Sequence, residues 1–236
     1  MTGVDRLPAA LGPIPIQALD RDGALAETAE PLGVCDRSEL LRWIGGVSLF
    51  AGGLALPRAA RAASRKQDRE ILNYALSLEY LQASFYTEAE RLKSLRGSFK
   101  EQASVVGSHE RAHVKALQGL LGAAAIKRPQ FDFQGVTEDQ SQFRGTAVAF
   151  EDLAVAAYKE EAPRIRSPEL LAAAIRIHSV EARHAAWIRH LVGALPAPDA
   201  FDEPKSRPRV KQLVASTEFV VTKPRTRSSK NPNFTG

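Results

Sequence analysis

Apolar residues recur every three to four positions through the middle of the chain, which is the spacing of one face of an α-helix. Helix-favouring residues dominate from residue 64 to residue 193, and no proline occurs between residues 58 and 128. This pattern predicts four long helices and a shorter one further along the chain. We expect these helices at residues 67–96, 98–122, 137–162, 167–193 and 210–216.

Capping residues set the expected helix boundaries. Ser98 and Thr137 each begin a capping box, the Ser/Thr-x-x-Glu/Gln pattern that satisfies free N–H groups where a helix starts. Ser167 precedes a proline, and proline suits the first turn of a helix. Gly97 follows the expected end of the first helix, because glycine readily adopts the left-handed conformation that is common there.

The lengths of the connections predict how the helices are arranged. Helices one and two are joined by about two residues and helices three and four by about four, so each pair forms an antiparallel hairpin. The middle connection, 123–136, can run the length of a bundle, since extended chain spans about 3.3–3.6 Å per residue. We therefore predict an all-α four-helix bundle with one long crossover between helices two and three.

Each of the four helices has one glutamate in the middle of its apolar stripe. These glutamates are Glu79, Glu110, Glu151 and Glu181. An unpaired buried carboxylate costs several kcal/mol, and no lysine or arginine lies on the same stripes beside them. Two divalent cations would balance the charge of four carboxylates, so the pattern indicates a metal site.

The same ligand pattern occurs twice. Each half has a glutamate, a tyrosine seven residues later, and then a Glu-x-x-His motif whose two side chains point the same way. The halves are Glu79, Tyr86, Glu110 with His113, and Glu151, Tyr158, Glu181 with His184. The repeat predicts a symmetric dinuclear site. The two tyrosines either hydrogen-bond to a ligand or carry an electron, or they only pack in the core.

This ligand pattern resembles that of the ferritin-like superfamily, and in particular that of bacterioferritin. The segments LNYALSLEYL (72–81) and VEARHAA (180–186) are more similar to the exported ferritin-like domain family that includes plant desiccation-related proteins. The resemblance covers about residues 66–220. It implies a ferritin-like bundle that holds two iron ions, or manganese ions as the alternative. The implied terminal ligands are Glu79, Glu151, His113 and His184, and the implied bridging ligands are Glu110 and Glu181.

The resemblance implies that the protein oxidises iron(II), with oxygen or peroxide as the oxidant. Two alternatives stay open: dismutation of peroxide at a manganese-catalase-like site, and a non-enzymatic stress or desiccation role in which metal only stabilises the bundle. The absence of sulfur from the ligand set favours iron or manganese. The only methionine is Met1, so we expect no haem of the bacterioferritin type. The basic tail and the lack of a recognisable cage-forming segment argue against an iron-storage cage.

Three other histidines and one glycine lie near the ligand residues in the sequence. His178 precedes Glu181 by three residues on the same face, where it is either a core residue, an outer-shell group or an extra ligand. His109 and His190 lie off the stripes and are expected at the surface. Gly107 is expected to let two helix backbones approach closely.

The region before the helices resembles a leader followed by an export signal. Residues 1–35 are expected to be poorly structured. In 36–63, arginines precede an apolar run of 14 residues, and small residues follow it around Ala62. Ser38 stands where a twin-arginine signal has its second arginine, and a short buried or amphipathic helix is the alternative. We expect export to the cell envelope without a membrane span, because the run is too short for one.

Charge and cysteine content further limit the functions that the sequence allows. The chain has 236 residues and a net charge of +5, and much of the excess lies in the proline-rich extension 194–236. No nucleic-acid motif accompanies these charges, so we expect no nucleic-acid partner. A single cysteine, Cys35, excludes an intramolecular disulfide framework and a cysteine-rich metal site. The expected partners are metal ions, oxygen or peroxide, and a homo-oligomer is compatible with the sequence.

Overall fold

A computed structural model describes residues 58–221 and 234–235, with side chains described from residue 65 to residue 221. This part of the chain contains five α-helices and two short strands. They are α1 (Arg58–Leu92), α2 (Gly97–Leu121), β1 (Phe131–Asp132), α3 (Gln140–Glu161), α4 (Pro168–Leu191), α5 (Arg207–Ser216) and β2 (Phe234–Thr235). The predicted leader, and the predicted export signal up to residue 57, lie outside the described residues.

Two antiparallel hairpins form the bundle, as predicted. The hairpins are α1 with α2, and α3 with α4. Tyr86 near the end of α1 contacts Glu151 in α3, while Tyr158 near the end of α3 contacts Glu79 in α1. Helices α1 and α3 are therefore antiparallel, and because α1 is also antiparallel to α2, helices α2 and α3 are parallel. The predicted all-α bundle with one long crossover is confirmed.

The crossover between α2 and α3 runs along α1. Asn73 holds its beginning through hydrogen bonds to the carbonyl of Ala124 and the N–H of Ile126. Further along, Arg128 donates to Ser84 at 2.9 Å. The far end meets the residues just after α1, where Ser94 donates to a crossover carbonyl at 2.6 Å. The crossover thus spans the bundle and places the start of α3 beside the end of α1.

Aromatic side chains fill one end of the bundle. Phe85 in α1 stacks on Phe143 in α3, with ring centroids 5.0 Å apart, and packs edge to face against Phe133 of the crossover. All three rings are fully buried. Next to this cluster, β1 pairs with β2 in antiparallel register. Burial of these rings stabilises the bundle and anchors the crossover to it.

The start of α2 differs from the capping prediction. Helix α1 ends at Leu92, earlier than predicted, and both Lys93 and Gly97 have a positive φ, of 56° and 53°. Ser98 does not cap α2, because the N-cap residue is Arg96 and it makes no side-chain cap bond. The N–H of Arg96 instead donates to the side chain of Gln140 at 2.7 Å. A contact between the two hairpins therefore determines this boundary.

The start of α3 also differs, whereas that of α4 agrees with the prediction. Asp139 caps α3 by accepting a hydrogen bond from the N–H of Gln142. Thr137 lies in a short 3-10 turn and donates to the buried Glu88 at 2.6 Å. Ser167 caps α4 as predicted, with proline in the first turn.

The C-terminal extension contributes α5 to the structure. Helix α5 covers the predicted short helix and begins three residues earlier. Its Arg207 forms a two-pronged ion pair with buried Glu161, at 2.9 and 2.6 Å, and lies over the ring of Tyr74. Val210 is fully buried beside them. At least one cation of the basic extension therefore has a packing role.

Among the helices of residues 58–221, none combines the length and the apolar composition that crossing a membrane requires.

Candidate metal centre

The bundle brings all six predicted ligands together in its middle. Their ligand atoms form two groups, and within each group the atoms lie within 4.8 Å of one another. One group is Glu79, Glu110, His113 and Glu181, and the other is Glu110, Glu151, Glu181 and His184. We call them the His113 position and the His184 position. Glu110 and Glu181 belong to both, which is the arrangement expected of bridging ligands.

The two imidazoles face the carboxylates through the same atom, Nδ1. At the His113 position, Nδ1 lies 3.0 Å from Glu181 Oε1 and 3.3 Å from Glu79 Oε2. At the His184 position, Nδ1 lies 3.0 Å from Glu110 Oε1 and 3.5 Å from Glu151 Oε2. The two positions therefore have the same donor chemistry, with one imidazole nitrogen among carboxylate oxygens.

The inward-facing atoms of this cluster have no hydrogen-bond partners. The four glutamates are completely buried, yet five of their oxygen atoms and the Nδ1 atoms of both histidines are unpaired. The unpaired atoms are Glu79 Oε2, Glu110 Oε1 and Oε2, Glu151 Oε2, Glu181 Oε1, His113 Nδ1 and His184 Nδ1. Buried polar atoms nearly always have a hydrogen-bond partner. Seven neighbouring ligand atoms that lack one therefore fit a bound cation.

The outward-facing oxygens are paired. Tyr158 donates to Glu79 Oε1 and Tyr86 donates to Glu151 Oε1, both at 2.6 Å. Gln82 donates to Glu181 Oε2 at 3.4 Å. Each tyrosine thus reaches the glutamate of the other half of the repeat. These bonds orient the carboxylates so that their remaining oxygen atoms point into the cluster.

Electrostatic repulsion within the cluster also favours a cation. Burial raises the pKa of Glu110 and of Glu181 well above its ordinary value, and the charge of Glu79 raises both further. Burial lowers the pKa of His113, but its contacts with Glu110, Glu181 and Glu79 outweigh burial and raise that pKa to about 12. In the metal-free protein, protons therefore supply part of the positive charge that metal ions would otherwise supply.

The tyrosine hydroxyls are held in their protonated form. Burial raises the pKa of Tyr86 well above its ordinary value, and the charge of Glu151 adds to the effect. Burial and then the charge of Glu79 do the same for Tyr158. Both hydroxyl groups are thus hydrogen-bond donors to the cluster at neutral pH, in agreement with the geometry. Gln102 contacts the hydroxyl of Tyr86 at 3.5 Å.

His178, His190 and Gly107 have distinct surroundings. His178 is partly buried and belongs to neither ligand group, and burial followed by the charge of Lys159 lowers its pKa. His190 is exposed, as expected. Gly107 packs against α1 as expected, since an added Cβ atom would lie 3.0 Å from the Cβ atom of Tyr86 and would overlap the carboxylate of Glu90.

His109 is the main residue near the site that the pattern of stripes missed. It is exposed, as expected, but its Nδ1 lies 3.0 Å from Nε2 of His184 and the two rings stack. The spacing of four residues between His109 and His113 places both on neighbouring turns of α2, which is a signal that the sequence did contain. Gln82 was also missed, although it follows Glu79 by three residues.

The comparison with family models agrees with the fold. A family model described as a ferritin-like domain matches residues 67–194, which include all six clustered ligands. Among solved structures, a conserved hypothetical protein from Mycobacterium tuberculosis is similar, with 15% sequence identity and a TM-score of 0.48. That match covers 58% of this chain and 99% of the other. No curated protein sequence matches this one.

Proposed function

Because the chain belongs to the ferritin-like domain family, we propose that its core holds a dinuclear iron centre, with manganese as the alternative metal. In this proposal, the centre oxidises iron(II) with oxygen or peroxide. The seven unpaired donor atoms in the middle of the bundle carry this proposal. The donors are carboxylate and imidazole groups, which suit iron and manganese. The repeated Glu and Glu-x-x-His pattern is typical of di-iron and di-manganese carboxylate bundles.

Each ligand has one role in the proposal. Glu79 and His113 are the terminal ligands of the His113 position, and Glu151 and His184 are those of the His184 position. Glu110 and Glu181 bridge the two positions. Both carboxylate oxygens of Glu110 and one of Glu181 lack a hydrogen-bond partner and face both positions, so these two residues would be shared between the ions.

Two metal ions bound there would supply the electrons that reduce oxygen or peroxide. The protein orients the ligands and excludes water. Tyr86 and Tyr158 hold the terminal carboxylates at 2.6 Å and keep their protons at neutral pH. We propose an orienting role for both tyrosines, and a redox role only if a tyrosyl radical is detected during turnover.

Metal content is the first test of this proposal. We would load the purified protein anaerobically with iron(II) or manganese(II), remove free metal, and measure bound metal by elemental analysis. We expect about two ions per chain for the wild type. The variant Glu110→Gln/Glu181→Gln should bind much less, because both positions lose their shared carboxylates.

A matched variant controls for the loss of two negative charges. Glu101→Gln/Glu138→Gln makes the same chemical change at two exposed glutamates, so it should bind as much metal as the wild type. A wild-type chain that takes up neither metal after anaerobic loading would overturn the proposal. Equal loss of metal in both double variants would point to nonspecific binding by surface charge.

Turnover then separates the proposed reaction from its alternatives. Oxygen consumption when iron(II) is added would support iron oxidation. Oxygen release from peroxide by the manganese-loaded protein would favour catalase-like dismutation instead. Two bound ions without either reaction would leave the stress or desiccation role, in which bound metal stabilises the fold.

We also propose export to the cell envelope, supported by the sequence of residues 36–63 alone. Cleavage near Ala62 would remove none of the residues that surround the centre. Fractionation of the source cells followed by N-terminal sequencing tests this proposal. An envelope protein that starts near Ala63 is the expected result, and an uncleaved cytoplasmic chain would contradict it.

A further inference from the structure

The two halves of the centre differ at the residue that precedes the second glutamate of each half. The repeat relates Glu79 to Glu151, Glu110 to Glu181, and His113 to His184. The residue before Glu110 is His109, whereas the residue before Glu181 is Val180. A valine side chain cannot accept a hydrogen bond, so His109 has no counterpart in the second half of the repeat.

His109 contacts the side of His184 that faces away from the centre. His184 directs Nδ1 towards Glu110, at 3.0 Å, and its Nε2 lies 3.0 Å from Nδ1 of His109. The rings are 17° from parallel, with centroids 5.2 Å apart. A neutral imidazole that uses Nδ1 as a ligand must carry its proton on Nε2. His109 is therefore in place to accept a hydrogen bond from that N–H group.

Such an outer hydrogen bond affects how strongly a histidine binds metal. It fixes the tautomer and the ring orientation of the ligand, and it raises the basicity of the ligand nitrogen. His184 is also the more buried of the two ligand histidines, since 3% of its side chain is exposed against 12% for His113. The outer hydrogen bond and the deeper burial both favour metal binding at the His184 position.

We infer that His109 is a positioning residue that makes the His184 position bind metal more tightly than the His113 position. This inference rests on the proposed metal centre and adds the order in which its two positions fill. His109 is not itself a ligand here. It acts through His184, by holding the imidazole with Nδ1 towards the carboxylates.

Cobalt(II) is a suitable probe, because its binding can be followed by absorbance and by calorimetry. We expect the wild type to bind two ions with unequal affinities. His109→Ala should weaken the tighter step by about 10–100-fold and leave the weaker step nearly unchanged. His109→Asn should restore much of the affinity, since its side-chain oxygen can take the place of the Nδ1 acceptor. His190→Ala removes an exposed histidine of α4 and is the matched control.

A second readout reports on the hydrogen bond itself. In the zinc-loaded wild type, nitrogen-detected NMR should show His184 protonated at Nε2, with that proton protected from exchange. The protection should be lost in His109→Ala and kept in His190→Ala. Unchanged stepwise affinities in His109→Ala, or equal weakening of both steps, would overturn this inference. Failure of the wild type to bind metal would instead overturn the proposed function.

Discussion

At the residue scale, the hydroxyl groups of two tyrosines join the halves of the repeat. Tyr86 of the first half donates to Glu151, and Tyr158 of the second half donates to Glu79. The exchange links α1 and α3 through two short, buried hydrogen bonds. It also leaves one oxygen of each glutamate free for a metal ion, so the same bonds serve both stability and ligand orientation.

Removing one of these hydroxyl groups should weaken both the fold and metal binding. Tyr158→Phe leaves a buried oxygen of Glu79 unpaired, which costs about 1–3 kcal/mol of unfolding free energy. Metal affinity should fall as well, because Glu79 loses its orientation. Denaturant unfolding and cobalt(II) titration measure the two effects.

Tyr80→Phe removes a hydroxyl group that contacts Gln118 and the carbonyl of Ile126, away from the centre. It should lower stability alone, so equal loss of metal affinity in both variants would contradict the assigned role.

The stability of the metal-free protein should fall as pH rises above about 5. Glu110 and Glu181 have pKa values above the ordinary 4.5 in the folded state, so they favour the folded state below pH 4.5 and lose this contribution as pH rises. The raised pKa of His113, about 12 against 6.5, acts in the same direction between those two values. Contacts with His113 lower the pKa of Glu79 despite its burial, so Glu79 gains its stabilising contribution as pH rises towards 4.5 and keeps it unchanged at higher pH.

Urea unfolding at several pH values between 5.5 and 9 measures this dependence. The Glu110→Gln/Glu181→Gln variant lacks the two raised carboxyl groups, so its stability should depend less on pH than that of the wild type. Bound metal should reverse the trend in the wild type, because metal ions compete with protons for the same atoms. Identical pH profiles for the metal-free wild type and the variant would rule out this explanation.

At the element scale, the ion pair between Arg207 and Glu161 links the short helix α5 to the bundle. Arg207 meets both carboxylate oxygens of Glu161, whose side chain is only 4% exposed. Arg164 lies at 3.4 Å from the same carboxylate and offers weaker compensation. Helix α5 covers part of α1 and α3, so its docking extends the fold beyond the four helices of the bundle.

Replacing this arginine should loosen α5 without removing the bundle. Arg207→Ala leaves a buried carboxylate with a poorer partner, and we expect a loss of about 1–3 kcal/mol. Arg209→Ala breaks only an exposed contact with Gln212 and should change stability by less than about 0.5 kcal/mol. Thermal unfolding and limited proteolysis of α5 compare the two variants. Equal effects of both changes would show that the ion pair does not hold α5.

At the scale of the whole molecule, the buried carboxylates are a source of instability that a bound metal ion would remove. Four carboxylates with 0% exposure lie in one core. They accept hydrogen bonds from Tyr86, Tyr158 and Gln82. Their other polar contacts among the described residues are chiefly with each other and with two histidines. Isosteric neutral side chains there remove the repulsion and the cost of burying charge. A metal ion that binds only the folded state would add about 2.7 kcal/mol of stability when its free concentration is one hundred times its dissociation constant.

Metal binding should therefore reverse which protein is more stable, the wild type or the double variant. At pH 8, Glu110→Gln/Glu181→Gln should be more stable than the wild type when both are metal-free, and less stable when both are saturated with metal. Differential scanning calorimetry with and without iron(II) or manganese(II) measures both comparisons. A variant that is less stable than the wild type under both conditions would show that these carboxylates have a packing role instead.

Much of the bundle and of the site was predictable from the sequence. The positions of the glutamates on the apolar stripes, and the repeated spacing, predicted which six residues would lie together. The prediction was weaker at helix ends: Ser98 and Thr137 have the residue types of caps, but Gln140 and Glu88 engage the same regions from elsewhere in the chain. A capping pattern reflects only hydrogen bonds between residues that are close in sequence. Here contacts with residues distant in the sequence outweigh that local preference.

The sequence by itself determined the all-α fold, the crossover and which six Glu and His residues cluster, because helical periodicity and connection length act locally along the chain. Only the tertiary structure decided which tyrosine meets which glutamate and that His109 reaches His184. It also decided that Arg207 of the extension pairs with Glu161. These pairs join residues on different helices, and their contacts depend on the rotation and offset of packed helices, which no local pattern specifies.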